Sequence, residues 1–181
     1  MSVVVVEFTT LDGVVEDPDG SGGTATGGWA FRHGPEAVAG DKFRLGALLD
    51  TGVLLLGRTT WELFAKLWPG RSGEFPDRLN AAAKLVATRT RHDVSAWQNS
   101  VLLQGDLVEA VEREERDVVV IGSIGIAQEL ARRELVDEYR LLVFPSVVGA
   151  GRRLFDGAAA DFRLVSSSRA GAAVLSTYRT R

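Results

Sequence analysis

The chain has 181 residues, a length that suits one domain, over 1–181, with a sizeable core. Its net charge of −3 argues against nucleic acid as the main partner, because that binding is driven by phosphate neutralisation. No cysteine is present, so there is no disulfide framework and no thiolate chemistry; the two histidines, His33 and His92, are too few and too far apart for a histidine metal site; and no apolar stretch is long enough to span a bilayer.

Val3 to Thr10 is β-branched and mostly apolar and reads as a central strand ending in an Asp12-Gly13 turn. A strand, rather than a charged leader, at this end makes a cytoplasmic location the default expectation. Asp17 to Gly28 is too rich in glycine and too poor in apolar residues to pack a core, and reads as a mobile loop. Trp29 and Phe31 follow it, either as anchors or as part of a lid over a flat ligand. His33 sits in a turn-like, solvated setting. Glu36 to Asp50 can form a helix with Phe43, Ala47, Leu48 and Leu49 near one stripe; Asp41 within it reads as a cap or a solvent-facing acid.

Val53 to Leu56 is a fully apolar buried strand. Gly57 breaks it, Arg58 follows, and Thr59 or Thr60 can cap a helix carrying Trp61, Leu63 and Phe64. Gly57 lets the backbone approach a ligand, the helix start offers unpaired N–H groups to an anion, and Arg58 adds a fixed positive charge. After a Pro/Gly loop, Pro76 to Ala83 reads as a short helix and Lys84 to Thr88 as a strand closed by Thr88-Arg89-Thr90, whose hydroxyls and guanidinium fall on the ligand-binding edge of an α/β sheet. Val101 to Leu103 is a short strand and Asp106 to Arg116 an amphipathic helix. Asp117 to Gly122 is a second buried strand that runs through Ser123 and Gly125 into a helix with Ile126, Ala127, Leu130 and Ala131 inward. Ser123 can cap it, and the N–H groups of Ile124 and Gly125 can face a pyrophosphate. Leu135 to Pro145 is a further strand leading to a loop over 147–155. Phe162–Ser168 and Ala173–Tyr178 form a final hairpin.

Several of these motifs, in this order, resemble the dihydrofolate reductase superfamily, and within it the C-terminal reductase domain of the riboflavin-biosynthesis enzymes (the RibD C-terminal domain type). They are Thr10-Leu11-Asp12-Gly13, Gly57-Arg58-Thr59-Thr60-Trp61-Glu62, Thr88-Arg89 and Gly122-Ser123, with Val136-Asp137-Glu138 followed by Pro145, Val147-Val148-Gly149-Ala150-Gly151 and Leu154-Phe155 as the most specific match. The resemblance spans essentially the whole chain. It implies a three-layer α/β fold, with a mixed, mostly parallel sheet flanked by helices and a C-terminal antiparallel hairpin. It also implies NADPH as cofactor, a small-molecule substrate and a homodimer.

By the same resemblance, Gly57, Arg58, Thr59, Gly122, Ser123 and Gly125 hold the phosphates and nicotinamide, and Thr88 and Arg89 hold the 2′-phosphate. Asp12, Trp29 and Asp41 lie on the substrate side, with Asp12 or Asp41 as candidate catalytic proton sources. Asp41 lies sixteen positions before Gly57, where an acidic residue binds the pterin in folate reductases. Those reductases carry an arginine near the position of Ala82 to hold the folate tail; alanine cannot bind a carboxylate, which argues against dihydrofolate. The expected activity is the 5-amino-6-(5-phosphoribosylamino)uracil reductase step or, alternatively, reduction of a pterin-like or other small molecule, or NADPH binding without catalysis.

Overall fold

The apolar runs assemble into one sheet. A computed structural model describes residues 1–90, 92–157 and 159–181. Its strands are β1 (Val3–Thr10), β2 (Val53–Gly57), β3 (Ala83–Ala87), β4 (Ser100–Leu102), β5 (Val118–Ile121), β6 (Glu138–Phe144), β7 (Phe162–Ala170) and β8 (Ala173–Thr180). They lie in the order β4-β3-β2-β5-β1-β6-β8-β7. Strands β1 to β6 pair in parallel, while β8 runs antiparallel to β6 and β7 antiparallel to β8. The helices are α1 (Ala47–Thr51), α2 (Arg58–Leu67), α3 (Glu74–Ala81), α4 (Leu107–Glu112) and α5 (Ile124–Arg132).

The two-residue period of the strands splits the core between the sheet's two faces. Val4, Val6, Leu54, Leu56, Val119 and Leu142 pack on one side with Trp29, Phe43, Trp61 and Trp97. Val3, Val5, Val53, Leu55, Val118 and Val120 pack on the other with Val111, Ile126, Ala127 and Leu130. Each fully buried aliphatic side chain contributes about 1.5–3 kcal/mol, so a one-residue slip of any central strand would exchange both cores at once. This is the three-layer α/β arrangement expected, with the terminal hairpin in place.

The segment Glu36 to Asp50 departs from the expected helix. It is a 3-10 turn at Pro35–Ala37, a run of bends, and only then the five-residue α1. Gly40 and Gly46 have φ of 62° and 47°, and Arg44 has φ of 54°, so the backbone leaves the helical region three times. Asp41 stabilises the bend: its carboxylate accepts from the N–H groups of Leu45 (2.7 Å) and Gly46 (2.8 Å). Apolar spacing alone could not see this, because Phe43, Leu45 and Leu49 are buried either way. The helix read over Asp106–Arg116 is also shorter, ending at Glu112 and capped by Asp106, which accepts from Val108 and Glu109.

Among the described residues three charged residues are buried in the sheet; Glu138 on β6 is paired with Arg140 (2.7 Å) and Arg179 (3.0 Å), which leaves Lys84 and Glu7. Lys84 on β3 is 1% exposed. Its Nζ donates to the carbonyls of Ala82 (2.7 Å), Asn80 (3.0 Å) and Gln98 (3.2 Å) and lies 4.3 Å from the Trp97 ring centroid. It ties the end of α3 to the approach to β4, and burial pushes its pKa down to about 8. Glu7 on β1 is 5% exposed, and burial pushes its carboxyl up to about 8, an effect partly offset by Arg152.

Lys84→Met should lower stability by about 2–4 kcal/mol, since buried carbonyls lose their donor; chemical denaturation measures it. For Glu7 the folded pKa is raised from 4.5, so its contribution to stability is fully present below 4.5 and is lost as pH rises through about 8. Melting temperatures of the wild type, relative to those of Glu7→Gln, should therefore fall across that window; a constant difference would contradict the assignment.

Candidate functional site

The C-terminal ends of β3, β2, β5 and β1 come side by side, in that order, on one edge of the sheet. At this edge of an open α/β sheet, chain leaves each strand and turns away, and ligands bind in the crevice left behind. Strand β2 passes through Gly57 directly into α2, and β5 passes through Gly122 and Ser123 into α5.

Side chains lock these two corners together. The Gly57 N–H donates to Ser123 Oγ (2.9 Å), and the Ser123 N–H donates to Thr60 Oγ1 (3.2 Å). Ser123 Oγ in turn donates to the Ile121 carbonyl (3.3 Å). Neither expected hydroxyl cap forms: α2 starts at Arg58 with Gly57 as N-cap, and the left-handed Ser123 (φ 56°) precedes α5 without a side-chain cap. The hydroxyls instead hold the corners against each other, leaving the helix starts uncapped. Ile126 and Ala127 donate back to the Ser123 carbonyl, so the N–H groups of Ile124 and Gly125 precede the first intrahelical bonds, as do those of Arg58, Thr59 and Thr60 in α2. Gly122 has φ of 58°, and a Cβ there would come 3.3 Å from Thr60 Cγ2, so glycine suits the bend and spares α2 a crowded contact.

Arg58 is exposed beside this cleft; among the described residues its one ion pair is a loose contact to Glu62 (3.9 Å) that leaves its charge available. Across the sheet, Gly57 is in register with Ala87, so Thr88 and Arg89 continue immediately beyond it. Thr88 Oγ1 accepts from the Thr90 N–H (3.2 Å) and donates to its carbonyl (3.1 Å), a local turn that leaves Arg89 exposed at the strand end. Gly57, Arg58, Thr59, Thr88, Arg89, Gly122, Ser123 and Gly125 thus share three adjoining strand-to-loop junctions.

The substrate-side residues fare differently. Asp12 stands at the end of β1, where its carboxylate accepts from Thr10 Oγ1 (2.6 Å), Gly149 N–H (2.8 Å) and Val148 N–H (3.3 Å). The Thr10 bond foremost, then that of Gly149, holds its pKa below the usual carboxylate range. Asp12 is therefore an ionised brace between the first turn and the 147–155 loop, a poor proton donor. Asp41 spends its oxygens on the backbone of its own bend. Trp29 is fully buried, donates Nε1–H to the Glu16 carbonyl (2.9 Å) and packs edge-on to Phe144, so it anchors the glycine-rich loop and offers no face to a ligand. That loop is itself wrapped around Asp17, which accepts from the N–H groups of Gly22 (2.7 Å) and Thr24 (2.9 Å). His33 is bonded to Ser146 Oγ (2.7 Å) rather than solvated.

Sequence reasoning passed over Glu7 and Lys42. A charged residue inside the otherwise apolar run Val3–Phe8 was a legible signal for Glu7. Lys42 had none: its Nζ donates to the Val38 carbonyl (2.7 Å) and lies 5.1 Å from the Phe8 ring centroid, and burial pushes its pKa down to about 8. A cavity of about 390 Å³ lies elsewhere, lined in part by Val136, Tyr139, Phe155 and Phe162. It opens by the start of β6 and the C-terminal turn of α5, away from the uncapped helix starts that suit an anion, so volume alone does not mark the site.

The family model of the RibD C-terminal domain matches residues 1–176. The uncharacterised protein YyaP of Bacillus subtilis (strain 168) is 28% identical over 116 residues, which cover 59% of this chain and 60% of YyaP; the match thus spans about three-fifths of that relative. Among solved structures, a candidate riboflavin biosynthesis protein from Shewanella sp. PV-4 superposes with a TM-score of 0.76 at 20% identity, covering 100% of this chain and 99% of the other. RibD from Acinetobacter baumannii gives 0.66 at 17% identity, covering 99% and 58%. The diaminohydroxyphosphoribosylaminopyrimidine deaminase/5-amino-6-(5-phosphoribosylamino)uracil reductase of Thermotoga maritima gives 0.58 at 18%, covering 99% and 56%. At these identities the structural likeness speaks for the fold.

Ser123→Ala removes the acceptor of the Gly57 N–H and should lower stability by about 1–2 kcal/mol in thermal or chemical unfolding. Ser123→Thr, which keeps a hydroxyl, should recover part of the loss; an Ala variant as stable as the wild type would show that the corners are held by something else.

Proposed function

The chain belongs to the RibD C-terminal domain family, and from that premise we propose that it is an NADPH-dependent reductase, delivering hydride to a small heterocyclic substrate of the 5-amino-6-(5-phosphoribosylamino)uracil kind. The observation that carries this reading is the pair of glycine corners at Gly57 and Gly122, hydrogen-bonded to each other at the ends of adjoining parallel strands. Two helix starts with unpaired N–H groups side by side suit a pyrophosphate, whose charge they share without needing many basic side chains.

The residues present fit the dinucleotide. The N–H groups of Arg58, Thr59, Ile124 and Gly125 would take the phosphates. Arg89, exposed beyond β3, would take the 2′-phosphate with its planar guanidinium, and Thr88 would orient that turn. Bound there, the reduced nicotinamide supplies the hydride for an electrophilic carbon of the substrate. The protein holds the two reactants in contact and keeps water away, a task of position more than of chemistry. Asp12 holds the 147–155 loop against the first turn, and Asp41 fixes the bend before α1. Neither carries the proton; a held water or a group of the substrate supplies it. Ala82, where a folate-tail arginine would stand, disfavours dihydrofolate as the substrate.

Titration with NADPH and NADH, followed by cofactor fluorescence, tests the reading. NADPH should bind more tightly, and Arg89→Ala should weaken NADPH about tenfold or more while leaving NADH nearly unchanged, as expected for one lost charge-assisted contact. Equal binding of the two cofactors, or an Arg89→Ala variant indistinguishable from wild type, would overturn the role of Arg89. NADPH oxidation with the aminouracil and with a pterin then separates the substrate classes.

A further inference from the structure

The head of α5 has two charged neighbours that the cofactor reading leaves unused. The first is Arg152, in the loop after β6. Its backbone is fixed on both sides: its N–H donates to Glu16 Oε2 (3.2 Å), and its carbonyl accepts from Val15 (2.9 Å). The side chain reaches over the first turn of α5, where a Cβ placed on Gly125 would lie 3.9 Å from Arg152 Nη2. Glycine at 125 thus leaves the guanidinium and the turn face to face.

The second is Glu7. It shares the β1 face of Val3 and Val5, the face packed by Ile126, Ala127 and Leu130 of α5. The Gly122 N–H donates to the carbonyl of the preceding Val6 (3.4 Å), which sets Glu7 directly against the corner from which α5 departs. Its side chain is nine-tenths buried or more, and Oε1 has no hydrogen-bond partner. Its charge couples to Arg152, yet among the described residues the two make no ion pair. An uncapped helix start, a cation over it and an unsatisfied buried carboxyl beneath it therefore converge on one place.

We propose that Arg152, the N–H groups of Ile124 and Gly125, and the Glu7 carboxyl form one phosphate subsite at the head of α5. The inference rests on the dinucleotide reading and deepens it by adding the residues that charge and tune the pyrophosphate end. Arg152 supplies the positive charge from a distant loop, since α5 begins without a basic residue in its first turn. Glu7 sets the pH range. Protonated, it offers an O–H to the bound phosphate and adds no negative charge; ionised, it repels. With its pKa near 8 in the free protein, affinity is high below that value and falls as pH rises past it, because binding favours the protonated form. Leu141, in register with Glu7, and Ile121, Ile126 and Ala127 on the neighbouring strand and helix do not titrate; Arg152 is the charge that acts on Glu7, and of the acids near the Arg152 loop Glu16 is engaged with the Arg152 N–H and Asp12 with Val148 and Gly149.

The test is binding of NADPH, and separately of inorganic pyrophosphate, by the full chain on both sides of pH 8, for wild type, Arg152→Ala, Arg152→Lys and Glu7→Gln. Arg152→Ala should weaken both ligands about tenfold or more, with partial recovery in Arg152→Lys. Wild-type affinity should fall above pH 8 and that of Glu7→Gln should not. Tight NADPH binding by wild type that Arg152→Ala leaves unchanged overturns the subsite while the dinucleotide reading stands. Pyrophosphate binding through Arg152 without NADPH binding overturns the dinucleotide reading and keeps the subsite; no binding of either ligand overturns both. A pH slope that persists in Glu7→Gln removes Glu7 from the subsite.

Discussion

The hydrogen bond from the Gly57 N–H to Ser123 Oγ, returned by the Ser123 N–H to Thr60 Oγ1, is the constraint on which the rest of the site depends. A parallel sheet brings the ends of β2 and β5 into proximity, but it does not fix how the two following helices are aimed. The serine does. It consumes the hydroxyls that would ordinarily cap α2 and α5, and so leaves two uncapped helix starts beside each other. Their partial positive charges then add at one place. Gly122 favours this geometry, because its left-handed φ suits glycine and a Cβ there would crowd the Thr60 methyl at 3.3 Å.

The acids around this edge divide by what they are bonded to. Asp12, Asp17 and Asp41 all accept from backbone N–H groups and hold loops in place. They are framework, although Asp12 and Asp41 look like candidate functional carboxylates in sequence. Glu7 is the reverse case. It lies in the middle of a strand, where a charge costs stability, and its Oε1 lacks a partner. Lys84, equally buried, is satisfied by three carbonyls and needs no ligand to explain it. Satisfaction, more than burial, separates the structural charge from the one available for function.

The sheet was legible because its signals are long and redundant. Val3–Thr10, Val53–Leu56 and Val118–Ile121 carry continuous apolar runs, and the hairpin turns at Gly171. The two glycine corners could be read for the same reason: each stands at the abrupt change from a buried strand to a helix. What escaped was set by individual side chains reaching across the chain. The bend at Asp41 depends on which backbone N–H groups one carboxylate happens to meet, and an apolar spacing that suits a helix equally suits the buried turn. Trp29 could be read as an anchor or as part of a lid, because a flexible sequence precedes it; the structure gives its indole a backbone partner and a place in the core. Arg152 reaches α5 from a loop more than twenty residues away, a contact that no local pattern encodes.

The central claim is that the starts of α2 and α5 act as one anion-binding cleft. Amide chemical shifts of labelled protein during NADPH addition address it directly. The account expects the largest changes at the N–H groups of Arg58, Thr59, Ile124 and Gly125, moving together along a single binding curve. Changes centred instead on the cavity by Tyr139 and Phe155, or on one helix start with the other silent, would contradict it.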